Sequence, residues 1–228
     1  MIALRKLTLP LTLLACASAA SADERVPATF DHAEDNLATK IEFPEFKGDA
    51  AARLRCAARV AGSGKFGDGG CYAHTAGDEV YIEAINKATK KARMNPATID
   101  GRALDVYVQY QVEFTKKGDE QTIRIYNNPG LEEMIDAYGD DHIAPQRGLT
   151  REAWQQVCPQ RTRWLVWAKA HVAPDGTASS FSIVPGEGAA ITENCREAIL
   201  ATLNESVYLP AMDDGETVPS SFIEPFGN

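Results

Sequence analysis

The 228-residue chain is 44% hydrophobic and 24% charged, with 17 Gly and 12 Pro, a globular composition that excludes collagen-like, disordered and repeatedly membrane-spanning classes. Its 23 basic and 32 acidic residues give a formal charge of −9. Such a surface repels phosphate backbones and anionic headgroups over a Debye length, so nucleic acid is not an expected partner.

The first residues read as an export signal. Arg5 and Lys6 form a positive start, Leu7 to Ala15 an apolar core, and Ala20-Ser21-Ala22 an A-x-A cleavage site before Asp23. The apolar run is shorter than the roughly 20 residues a spanning helix needs. Residues 1–22 are therefore expected to be a signal peptide. Its loss leaves 21 bases against 32 acids, a charge of −11. Leu13-Leu14-Ala15-Cys16 also resembles a bacterial lipobox; lipidation of Cys16 would anchor the chain to a membrane, the one route by which a membrane becomes a partner.

Residues 23–42 form an N-terminal extension. Four cysteines follow the leader: Cys56, Cys71, Cys158 and Cys195. An even number in an exported chain predicts two disulfides, with three connectivities open. The cysteines fall two to each half, which favours Cys56–Cys71 and Cys158–Cys195. With no C-x-x-C present, zinc knuckle and redox motifs have no support.

From there the chain repeats itself. Leu54, Cys56, Ala58 and Val60 alternate with Arg53, Arg55, Ala57 and Arg59, a half-buried strand, followed by a glycine turn over 62–70 and a second strand at Cys71. Tyr81, Ile85, Ala88 and Ala92 mark one helix face. Next comes Pro96-Ala97-Thr98-Ile99-Asp100-Gly101, whose D-G pair predicts a turn. The cleanest strand follows, with Val106, Val108, Tyr110, Val112 and Phe114 on one face. In the second half, Trp164, Val166, Ala168, Ala170 and Val172 alternate up to the Pro174-Asp175-Gly176 turn. Thr192 caps a helix bearing Ile199 and Leu203, and Pro210-Ala211-Met212-Asp213-Asp214-Gly215 repeats the first motif 114 residues on. The segment 116–157 joins the halves, with short helices expected over 131–138 and 151–157. The fold class is α+β: two tandem modules, 43–115 and 158–228, each a small antiparallel sheet packed by a helix and clipped by a disulfide.

These motifs resemble the C-terminal domain of the TonB family of bacterial energy transducers, over roughly residues 43–114 and 160–226. Phe43-Pro44, the strand–turn–strand–helix order, the two P-A-x-x-D-G turns and the final Phe222 and Phe226 carry the resemblance. It implies a periplasmic module that binds an outer-membrane receptor or other envelope protein by pairing its last strand with an extended peptide, as exposed sheet edges do. The edge it implies here holds Leu104, Val106, Val108, Tyr110, Val112 and Phe114, because Pro219 and Pro225 blunt the counterpart in the second half; the alternative is that both edges are covered by the connector or by each other. The transducers keep a membrane helix and a long Pro-rich spacer. Here about 20 residues with Pro27 alone, reaching ~70 Å at most, precede Phe43. A detached binding protein fits these residues better than an energy coupler.

No catalytic or metal-binding constellation is legible. His32, His74, His142 and His171 show no metal spacing, and Gly62-Ser63-Gly64-Lys65 lacks the first glycine and the Ser or Thr of a phosphate loop. Glu132, Glu133, Asp136, Asp140, Asp141 and His142 could bind calcium or zinc, but they lack the order of a calcium loop and are expected to form a solvated helix face. The expectation is a chain with no cofactor and no metal that works by contact. A structural lipoprotein held through Cys16, or an enzyme whose site forms only between the modules, are the competing readings.

Overall fold

A computed structural model of the chain describes residues 23–30 and 35–228; the leader, Cys16 and His32 lie outside them. In chain order the first half contains β1 (Arg25–Val26), α1 (Leu37–Lys40), β2 (Ala50–Val60), β3 (Phe66–Tyr72), α2 (Glu79–Thr89), β4 (Ala97–Ile99), β5 (Arg102–Leu104) and β6 (Val106–Lys117). Then come β7 (Glu120–Tyr126), α3 (Glu132–Tyr138), β8 (Gln146–Gly148) and α4 (Trp154–Val157). The second half has β9 (Trp164–Val172), β10 (Ala178–Gly188), α5 (Glu193–Glu205), β11 (Tyr208–Leu209), β12 (Ala211–Asp213), β13 (Glu216–Val218) and β14 (Ser220–Gly227). The architecture is sheet-rich α+β, with small antiparallel sheets, few helices and two disulfides.

The alternating pattern of the first half places Leu54, Cys56, Ala58 and Val60 on the face that α2 covers, together with the inward residues of β6. β2 lies between β3 and β6. Tyr81, Ile85 and Ala88 are the buried stripe of α2. The expected glycine turn is shorter than its glycines: the loop spans 61–65, and Gly67, Gly69 and Gly70 belong to β3. Gly69 sits there because a Cβ would come within 2.4 Å of the Ala57 carbonyl oxygen. In the second half β9 lies between β10 and β14. Ile199 and Leu203 of α5 pack on Trp164, Val166 and Ala168, and the Thr192 hydroxyl caps α5 by accepting from the Cys195 N–H at 3.3 Å.

The two P-A-x-x-D-G segments have the same geometry. β4–β5 and β12–β13 are hairpins of three pairs each. Asp100 and Gly101 have φ of 50° and 72°, Asp214 and Gly215 47° and 85°. Positive φ at both central residues is the type I′ turn whose twist suits a two-residue hairpin, and Asp-Gly is the pair that adopts it most readily. Each hairpin is also flanked by an earlier stretch of chain. Val26 pairs with Thr98 and Thr29 with Asn95; Ile143 pairs with Met212 and Gln146 with Leu209. The hairpins coincide under a shift of 114 residues and the stretches that flank them under one of 117.

Cys56 and Cys71 are directly opposite one another on β2 and β3 and are bonded. The second bond joins Cys158, at the end of α4, to Cys195 in the first turn of α5. Both pairs are those the division into halves favoured, and such bonds persist in an oxidising compartment. Among the described residues no helix is long and apolar enough to cross a membrane.

Candidate functional site

The strand expected to offer a free edge does not. β6 pairs with β2 from Val106 to Lys116 on one side. On its other side β8 takes Val106 and Tyr107, and β7 takes Gln111 to Lys117. Val106, Val108, Tyr110, Val112 and Phe114 are buried against α2, and Leu104 belongs to β5, in the hairpin with β4. The correction has a legible cause. Ile123 and Ile125 alternate with exposed residues after a turn through Gly118 (φ 59°). That is a hairpin signal inside the segment read only as a connector.

Four of the strands with seven or more residues are paired on one side alone among the described residues: β3, β7, β10 and β14, of which β14 loses an N–H at Pro225. They differ in how well they could accept another strand. β10 is broken by register shifts on either side of 182–185, holds Ser180 at φ 57° and loses an N–H at Pro185. β3 has three glycines and a register shift of its own. β7 has neither Gly nor Pro and keeps an unbroken ladder from Glu120 to Tyr126. It is the most donor-complete edge of the four.

The halves are locked together by charge as well as by apolar contact. Arg147 on β8 is fully buried and donates from Nε and Nη2 to the two carboxylate oxygens of Glu224 on β14, at 2.6 and 2.8 Å. It also donates to Glu152 at 3.1 Å and to the Ser206 hydroxyl at 3.1 Å. Burial by itself would lower the Arg147 pKa, but the carboxylates of Glu224 and Glu152 more than reverse this, so the guanidinium stays protonated. At Glu224 burial outweighs the guanidinium and raises the carboxyl above its ordinary value. Arg59 reaches Glu152 at 3.4 Å, and the Trp154 indole N–H donates to the same carboxylate. These groups satisfy one another. The Tyr107 hydroxyl beside them is buried and makes no hydrogen bond among the described residues; burial holds its phenol well above the usual pKa, with Glu224 adding to the effect.

Two adjoining clefts run along this junction and share Tyr72. The smaller, about 400 Å³, lies between β2–β3 and the end of β14, with Arg59, Asp68, Tyr107 and Trp154 in its walls. The larger, about 640 Å³, opens over the outer face of β9 and is floored by Leu165, Trp167 and Ile223. Tyr72 and Trp167 meet across it with ring centres 5.7 Å apart. Burial, aided by Glu224, pushes the Tyr72 phenol up to about 12, so it is neutral and a donor at ordinary pH. Sequence reading gave no sign of this cleft, because its walls come from residues more than 100 positions apart.

The remaining sequence candidates fall as follows. His171 is exposed on β9. His142 is buried, unlike the solvated acidic residues beside it, and its Nδ1 lies 2.6 Å from the Gly139 carbonyl oxygen. Glu132, Glu133 and Asp136 stand on α3, which buries no residue. No group of three or more metal-ligating side chains occurs among the described residues. Comparison with family models, curated proteins and solved structures finds no match to this chain.

Proposed function

We propose that the chain is an exported, non-catalytic binding protein of the bacterial periplasm, built from two TonB-C-like modules. It holds an extended segment of an envelope or outer-membrane protein by strand addition. The kinship reading is supported by the repeated order of hairpin, helix, D-G hairpin and returning strand, with the returning strand beside the first in both halves. It is further supported by the matching ladders of 26–29 on 95–98 and 143–146 on 209–212.

One observation carries the binding reading. The outer side of β6, where the resemblance places an incoming peptide, is already occupied by a strand of the chain itself, β7. Strand addition at that position is thus built into the molecule, and the edge is displaced outward by one strand. A partner would extend the order β2–β6–β7, with backbone hydrogen bonds giving affinity and alternate side chains giving selectivity.

The test is capture from an envelope extract with the wild-type chain and with Gln121→Pro and Thr122→Pro. Neighbouring N–H groups on a strand point to opposite sides, so one substitution removes an outward donor and the other breaks the β6 ladder. The variant that keeps the wild-type melting temperature should lose capture. The captured segment, resynthesised with N-methylated amides, should fail to bind. Undiminished capture by the well-folded variant refutes addition at this edge.

A further inference from the structure

The larger junction cleft differs in charge from the rest of the molecule. Residues 23–228 carry a net −11, yet the lining of this cleft holds Arg55, Arg163 and Lys169 against the single carboxylate of Glu187, with His74 beside them. Arg55 is fixed in place by donating from Nη2 to the Gly130 carbonyl oxygen at 2.9 Å. Arg163 and Lys169 are exposed and take part in none of the ion pairs among the described residues. Two cations left unneutralised on one wall, in a chain with acids in excess, form a local positive field against the global sign.

Beneath them the floor is apolar. Leu165, Trp167 and Ile223 are half-buried, and Val184 is 42% exposed, one of five large apolar side chains so exposed among the described residues. A cleft of about 640 Å³ lies in the range of small-molecule sites, which are mostly apolar with a few polar groups to fix orientation. An aromatic platform beside a cationic wall matches a ligand with an apolar body and an acidic head.

We propose that this cleft binds one anionic amphiphile, its apolar body along Leu165, Trp167 and Ile223 and its acidic head held in the positive field of Arg163 and Lys169, which stand at the two ends of that floor. The site uses no residue of β7 and stands whether or not strand addition occurs there. Arg55 adds to that field from β2, and Tyr72 offers a neutral hydroxyl.

Anilinonaphthalene sulfonate, an anion with an aromatic body, is the probe. Added to the full mature chain, it should fill one saturable site with energy transfer from tryptophan, and higher salt should weaken it. Decanoate should displace it, whereas decyltrimethylammonium, with an equally long chain and the opposite charge, should not. R163E/K169E should bind roughly tenfold more weakly or worse at an unchanged melting temperature, since both side chains are exposed. W167L should lose most of the energy transfer. Absence of a saturable site, equal displacement by the cation, or undiminished binding by R163E/K169E overturns the assignment. Displacement by an alternating Glu/Val octapeptide but not by decanoate also overturns it, and gives the cleft to a protein segment instead.

Discussion

Arg147 and Glu224 lie 77 positions apart, one on the joining segment and one on the last strand, and form a two-pronged ion pair with both side chains buried. Breaking such a pair from one side leaves a charge in a dry interior, which costs about 3–5 kcal/mol. Glu224→Leu should therefore destabilise the chain strongly, even though Glu152 still faces Arg147. Arg147→Met combined with Glu224→Leu should cost much less than the two single changes added together. Guanidinium unfolding of the three variants measures this; additive costs would show that the pair is not a coupled unit.

The two D-G turns should respond alike to the same change. A Cβ at Gly101 or Gly215 meets nothing within 4 Å, so the penalty for alanine there is conformational alone. The left-handed region costs a non-glycine residue about 1–2 kcal/mol. Gly101→Ala and Gly215→Ala are each expected to lose that amount, within error of one another, by chemical denaturation.

The disulfides close loops of different length. Cys56 and Cys71 are 15 residues apart, Cys158 and Cys195 37. If constraint of the unfolded chain dominates, the bonds contribute about 3 and about 4 kcal/mol. Replacing each pair by serine should thus destabilise the chain in that order, with the second pair the costlier. The reverse order would mean that packing around the sulfurs outweighs loop entropy.

Alkaline pH should unfold the protein cooperatively. Tyr107 and Tyr110 are buried, and their phenols are raised above the usual value of 10, by burial in both cases and also by Glu224 at Tyr107. Unfolded tyrosine releases its proton near pH 10 while the folded phenol keeps it. The stability from neutral burial is therefore whole below pH 10 and falls above it, by about 1.4 kcal/mol per pH unit for each group. Tyrosinate absorbance should rise together with loss of circular dichroism. Ionisation of all seven tyrosines in a chain that keeps its dichroism would contradict this.

Periodicity made the regular parts of the fold legible. The two-residue alternation of β2, β6 and β9, the stripes of α2 and α5 and the D-G pairs each follow from local rules, and the coordinates show elements there. The joining segment was harder to read. β7 is short and carries Glu120, Thr122 and Arg124 on its outward face, and β8 has three residues, one an arginine that looks solvent-bound until Glu224 arrives from the end of the chain. The β6–β7 hairpin leaves a local signal, whereas local patterning cannot reveal that β8 returns to β6 from 40 to 42 residues downstream. The same holds for the cleft. Arg163 and Lys169 read as an ordinary strand surface, and only the docking of Tyr72, at the end of β3, against Trp167 makes a concavity.

Residues 25–30 reach both halves and the segment that joins them. Arg25 donates to the Tyr208 carbonyl, Ala28 exchanges hydrogen bonds of 2.8 and 2.7 Å with the Gln146 side chain, and the Phe30 N–H donates to Asn127. Residues 25–30 can thus settle only after their partners, which extend to position 208, are in place. Any tether fused ahead of Asp23 would transmit its force straight into this keystone strip, prying it from both halves at once.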